Sequence, residues 1–142
     1  MAEGVFTDLV AKAGLAEVIQ ADSAGTHADF GDVPPDPVAQ RLLLERGIDI
    51  SGQRARRIRR SDFDNFDLVL VMDGQNLDVL RFVCPKNQSH KLARLLDFVP
   101  GLKTCNVPDP FRKEEAAFRH ALELIEQGAN GVLEHLRNHL HC

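Results

Sequence analysis

Apolar residues recur at helical spacing from the first turn of the chain. Ala2, Val5, Phe6, Leu9, Val10 and Ala13 form one stripe, and Gly14 is placed to end it. Glu17–Ser23 reads as a short strand closed by Ala24-Gly25-Thr26. A polar loop follows through Gly31 and Pro34-Pro35-Asp36-Pro37, where the prolines end the extended segment ahead of a helix. That helix runs from Pro37 to about Arg46, with Val38, Leu42 and Leu43 on its apolar side and Gly47 past its end. Ile48–Ile50 is extended, and Ser61 or Asp62 is placed to cap a brief helical turn.

Phe66–Met72 is the clearest strand, because its near-continuous apolar run suits a parallel strand covered on both faces. Asp73-Gly74 ends it, and Asn76–Phe82 predicts a helix. Lys91–Phe98 is too short to settle its own period. Its position between helices favours a third strand. A long helix is predicted from Lys113 to Gln127, buried through Ala117, Phe118, Ala121, Leu122, Leu124 and Ile125. Gly128 and Gly131 interrupt it, and Val132, Leu133, Leu136 and Leu140 resume the apolar face. The alternation of helix and strand predicts an α/β, three-layer, parallel-sheet domain covering residues 1–142. No strand feeds the first helix, although the first strand-to-helix turn is where such folds usually bind ligands.

Composition narrows the function classes. Of the 142 residues 44% are hydrophobic and 27% charged, which suits one soluble globular domain. Three scattered cysteines, Cys84, Cys105 and Cys142, build neither a disulfide scaffold nor a zinc site, and the histidines miss zinc-ligand spacing. No segment reads as a membrane span or secretory signal, so a cytoplasmic setting is expected. Seventeen Lys and Arg against 21 Asp and Glu give a net charge of -4, which works against broad nucleic-acid binding. Five arginines in seven positions, Arg54, Arg56, Arg57, Arg59 and Arg60, read as a solvated, partly paired surface.

Six blocks then fall in register. They are Met-Ala-Glu-Gly-Val-Phe at 1–6, Ser-Ala-Gly-Thr at 23–26, and Gly-Ile-Asp-Ile-Ser-Gly at 47–52 with Arg54-Ala-Arg56. Asp62-Phe63 with Phe66-Asp67, Met72-Asp73 with Asn76-Leu77, and Val-Pro-Asp-Pro-Phe at 107–111 complete the set. In order and spacing they resemble the low-molecular-weight protein tyrosine phosphatases over essentially the whole chain. The resemblance implies a four-stranded parallel sheet, hydrolysis of phosphotyrosine or aryl phosphates without metal or cofactor, and a nucleophilic Cys in a Cys-x5-Arg-Ser/Thr loop before the first helix. Met1 resembles the internal Met just past that loop. The first strand and the loop are therefore expected to be missing here. None of the three cysteines has an Arg at the required spacing.

The resemblance also implies residue roles. Asp109 matches the general acid that protonates the leaving phenolate and then activates water. Read from its prolines alone, Pro108-Asp109-Pro110 is a rigid turn before the long helix. Phe111 matches an aromatic wall of the substrate cleft. Arg112 stands where a second aromatic is common, either favouring an acidic peptide or facing water. Ser23 matches a serine that hydrogen-bonds the nucleophile loop. Asp73 matches an Asp bracing the site from behind, with helix capping as the alternative. Gln53 replaces a common His, and Glu3 suits the positive end of the first helix.

The expected partner is a phosphotyrosine-bearing protein or a small aryl phosphate, with neither nucleic acid nor membrane involved. The 142-residue chain itself is expected to be inactive. A non-catalytic binding or regulatory remnant is the alternative. Arsenate reduction ranks last, since Cys84 and Cys105 have no close-spaced resolving partner.

Overall fold

The structure, a computed structural model, describes residues 1–26 and 33–140. Gly31 of the expected polar loop, His141 and Cys142 lie outside the described residues. Helix α1, Ala2–Lys12, buries Val5 and Val10 and stops where the stripe stops. Gly14 adopts φ +73°, its N–H bonds the Ala11 carbonyl at 3.0 Å, and Leu15 N–H reaches back to Val10 O at 3.0 Å. Gly47, at φ +75°, closes the next helix the same way, with Ile48 N–H on Leu43 O at 2.9 Å. Only the lack of a Cβ makes this left-handed closure inexpensive. That next helix, α2, spans Pro37–Leu44 and opens on an Asp36 carboxylate that accepts from Val38 N–H at 2.8 Å.

Helix α3, Asp62–Asn65, precedes strand β1, Val69–Val71; helix α4, Gly74–Val83, leads through a 3-10 turn at Lys86–Lys91 into strand β2, Leu92–Arg94. The strands pair in parallel with Val69 opposite Leu92 and Val71 opposite Arg94. Alternation along β1 sorts its side chains between two cores. Leu68, Leu70 and Met72 pack against a large cluster built from α1, α2 and the last helix. Val69 and Val71 join Phe63 of α3 and Leu80 of α4 on the other face. The near-continuous apolar run is thus explained by helices on both sides.

Helix α5, Glu115–Leu140, is one continuous element of 26 residues, so Gly128 and Gly131 do not interrupt it. They are contact points instead. A Cβ on Gly128 would stand 2.5 Å from Leu95 Cγ, and one on Gly131 would stand 2.2 Å from the Phe98 carbonyl oxygen. The expected strand Lys91–Phe98 is correspondingly short. After β2 the chain curls into a 3-10 turn, Leu95–Phe98, which buries Leu95 and Leu96 and lays its backbone against the glycine face of α5. Surface ion pairs also join α2 to α5: Arg41 with Glu115, Arg119 forked onto Glu45 at 3.2 Å, and Arg46 with Glu126 at 2.8 Å.

One expected strand does not form. Glu17–Ser23 is irregular, and the nearest ladder contact is an isolated parallel bridge between Gly25 and Arg57. A strand is defined by its neighbour's hydrogen bonds, and this segment has none among the described residues. The α/β order therefore stands, with a two-stranded parallel sheet among the described residues. Among the described residues no helix is long and apolar enough to cross a membrane.

Candidate functional site

The segment carrying Asp109 is fastened to the C-terminal end of β1, where open α/β folds place functional groups. Val107 is buried, and its N–H donates to Met72 O at 2.8 Å. One residue earlier, the Asn106 side-chain oxygen accepts from Gly74 N–H at 3.0 Å, tying the loop to the start of α4. Thr104 braces this anchor by accepting from Asn106 N–H at 3.3 Å. Asp109 itself is exposed between its two prolines. Its Oδ1 accepts from Phe111 N–H at 3.0 Å, which fixes the carboxyl in a local turn.

Phe111 is 61% exposed, and the Arg112 guanidinium lies 5.1 Å from its ring centre. Arg112 has φ +60°, a left-handed turn that few residues with a Cβ adopt. The two together form a small aromatic and cationic face next to the carboxylate.

Asp73 is the N-cap of α4, its Oδ1 accepting from Asn76 N–H at 2.8 Å. Helix capping is therefore what its side chain does here. It remains close to the Asp109 loop through the chain, because it follows Met72, whose carbonyl holds Val107. Ser23 belongs to a different group: its hydroxyl donates to Glu3 Oε1 at 2.7 Å, and its N–H donates to the Asp22 carboxylate at 2.8 Å. No hydrogen bond joins that group to the Asp109 loop among the described residues. Gln53 holds a turn through its N–H on Ile50 O at 3.0 Å.

Two arrangements had no signal in the spacing. The first is Arg56 with Asp62, which is the one buried charged side chain among the described residues. Arg56 meets both carboxylate oxygens at 3.0 Å, and Arg59 N–H adds a bond at 2.8 Å. Burial works against the Asp62 charge, yet the bonds from Arg56 and Arg59 outweigh it and hold the carboxyl below its ordinary range. The hydrogen bond to Asp62 in turn raises Arg56 above its usual value. Arg56 also reaches Asp22 at 3.2 Å, so it ties the Ser23 segment to α3. The second is Arg94, whose guanidinium donates to Cys105 Sγ at 2.8 Å beside the Asn106 anchor. Residues eleven apart in a loop carry no periodic signature.

Cys84 is half-buried, with its thiol on Pro85 O at 3.3 Å, and packs with the smaller core. Among the described residues no three His, Cys, Asp or Glu side chains gather into a metal-binding group. Two surface concavities, one along α5 and one between α1 and α5, touch none of Ser23, Asp73, Asp109 or Phe111.

A family model described as low molecular weight phosphotyrosine protein phosphatase matches residues 1–141. The chain is 39% identical over 134 residues to the low molecular weight protein-tyrosine-phosphatase YfkJ of Bacillus subtilis, covering 94% of this chain and 84% of that protein. It is 34% identical over 140 residues to a putative low molecular weight protein-tyrosine-phosphatase of Synechocystis, covering 98% and 88%. The crystal structure of YfkJ superposes with a TM-score of 0.91 at 34% identity, over 97% of this chain and 86% of that one. A protein tyrosine phosphatase from Entamoeba histolytica, with Hepes in its active site, also gives 0.91 at 28% identity, over 96% and 87%.

Proposed function

Since the chain belongs to the low molecular weight phosphotyrosine protein phosphatase family, we propose that its domain, residues 1–142, serves the hydrolysis of phosphotyrosine or related aryl phosphate monoesters in the cytoplasm. The observation that carries this reading is the exposed Asp109 carboxylate, bracketed by prolines and anchored through Val107 and Asn106 to the end of β1 and the start of α4. Thiolate-based hydrolysis needs an acid that protonates the departing phenolate and then takes a proton from the water that attacks the phosphocysteine. Asp109 fills that role in this proposal. Phe111 and Arg112 provide the wall against which the aryl group rests. Asp73 and Ser23 are positioning residues in the four-stranded arrangement of the family.

The thiolate and the arginine that receive the phosphoryl group are not among these residues, because no cysteine of the 142 stands six positions before an arginine. The chain by itself is therefore inactive in this proposal. That same observation favours a second reading, a non-catalytic binding or regulatory protein built on the fold.

One experiment separates the two readings. The 142-residue chain is assayed on phenyl phosphate alone, and again after fusion of a strand with a Cys-x5-Arg-Ser loop ahead of Met1. The catalytic reading expects no turnover from the first and turnover from the second. Asp109→Asn then lowers the fusion's rate on phenyl phosphate by about 10²–10⁴. The loss is smaller on a substrate whose leaving group needs no proton. Turnover by the unfused chain, or a fusion indifferent to Asp109→Asn, overturns it.

A further inference from the structure

The arginine-rich segment between Gln53 and Ser61 is more ordered than a solvated charge run. Four backbone hydrogen bonds pin it in an extended form: Ala55 N–H to Val33 O at 2.9 Å, Gly25 N–H to Arg56 O at 2.8 Å, Ile58 N–H to Gly25 O at 3.0 Å and Arg59 N–H to the Asp62 carboxylate at 2.8 Å. Within the strip Arg56 and Ile58 are half-buried. Arg56 is held by Asp22 and Asp62, while Ile58 packs on the smaller core. Arg54, Arg57, Arg59 and Arg60 are exposed. Arg54 turns one nitrogen, Nη1, to the Ser51 and Gln53 carbonyls at 2.7 Å and forms no ion pair among the described residues. Arg57 has a partner of its own, the Arg59 charge acts on the Asp62 carboxylate, and Arg60 forms no ion pair among the described residues.

We propose that the pinned strip Arg54–Arg60 is a docking surface for an acidic segment of another protein. A rigid backbone presents the guanidinium groups with less ordering to be lost on binding, and guanidinium is the side chain best shaped for carboxylate. The chain as a whole is negative, at -4, so the strip is a local inversion of its charge. Nucleic acid fits less well, because the strip has no aromatic residue on which bases stack. A membrane fits less well too, since Ile58, its large apolar residue, is turned into the core. Arg56 leads from the strip to Asp22 and Ser23, so a docked segment lies beside the Ser23 group. The inference does not depend on the hydrolytic reading, because its readout is binding.

The full 142-residue chain is titrated into fluorescein-labelled poly-glutamate, a labelled single-stranded oligonucleotide and phosphatidylserine vesicles, each at low and high NaCl. Poly-glutamate is expected to bind tightest and to weaken as salt rises. Arg59→Gln with Arg60→Gln raises its Kd about tenfold, while Lys103→Gln with Lys113→Gln changes it less than about twofold. Should the arginine double variant lose its fold by circular dichroism, Arg60→Gln alone carries the same comparison at about threefold. Absence of binding at low salt, tighter binding of the oligonucleotide or the vesicles, or equal behaviour of the arginine and lysine variants overturns the proposal.

Discussion

The Asp109 loop and the Ser23 segment are held by different balances of forces. Around Asp109 the fastening is backbone and burial: Val107 is 3% exposed, its N–H lies on β1, and Asn106 closes onto the first amide of α4. Around Ser23 the backbone bridge at Gly25 is joined by side-chain charge, with Glu3, Asp22, Arg56 and Asp62 linked in sequence to the hydroxyl and to α3. Apolar burial and internal amide bonds change little with salt or mild acid, whereas partly exposed ion pairs respond to both. The Asp109 side is therefore built to keep its geometry. The Ser23 side adds to its backbone bridge an attachment that depends on charge.

Removing Asp62 breaks the charged side hardest. Asp62→Ala leaves the Arg59 amide without its acceptor and the Arg56 guanidinium with only Asp22 as its carboxylate partner, at a cost of about 3 kcal/mol in urea unfolding. Amide exchange at Gly25 and Ile58 should accelerate more than at Val107. Equal acceleration at all three would erase the contrast.

Gly131→Ala tests the packed side. Alanine ordinarily strengthens a helix interior by about 1 kcal/mol. Here its Cβ meets the Phe98 carbonyl at 2.2 Å, so the sign reverses and the protein loses about 2 kcal/mol. A stabilised variant would show that the helix and the turn are not in backbone contact. Asp73→Ala removes one cap and costs about 1 kcal/mol by thermal melting, with little salt dependence.

Acid has the smallest effect and separates the sides most cleanly. Because the Asp62 carboxyl titrates lower in the fold than in the unfolded chain, its stabilisation is whole above about pH 4. It is lost as pH falls through the depressed folded value. The acid limb of a stability–pH profile should flatten in Asp62→Asn; an unchanged limb would assign the dependence to other carboxylates.

Much of the frame was legible because its signals are local. Gly14, Gly47 and Asp36-Pro37 mark helix ends through their own backbone and side-chain chemistry, and the Leu68–Met72 alternation sorts itself between two cores. Gly128 and Gly131 misled because a glycine's local meaning is helix breaking, while their use here depends on a turn some thirty residues away. Glu17–Ser23 has the apolar content of a strand, but no sequence pattern supplies a pairing partner. In the site, Asp109 was singled out by the resemblance, since its two prolines by themselves read as a rigid turn. The Asn106 anchor, the Arg94–Cys105 contact and the Arg56–Asp62 fork are made by the folded path and leave no spacing to read.

The glycine face of α5 also limits how the last helix can be assembled. Beside Gly131 stand Asn130 and Val132, so sliding the helix by one residue would force a side chain against the Phe98 carbonyl. The apolar stripe of the helix holds it in the core, and the glycines key its seating like a lock pin. A protein cut in the loop between Gly101 and Glu115 would yield two pieces able to rejoin in only one alignment, a property sought in split reporters.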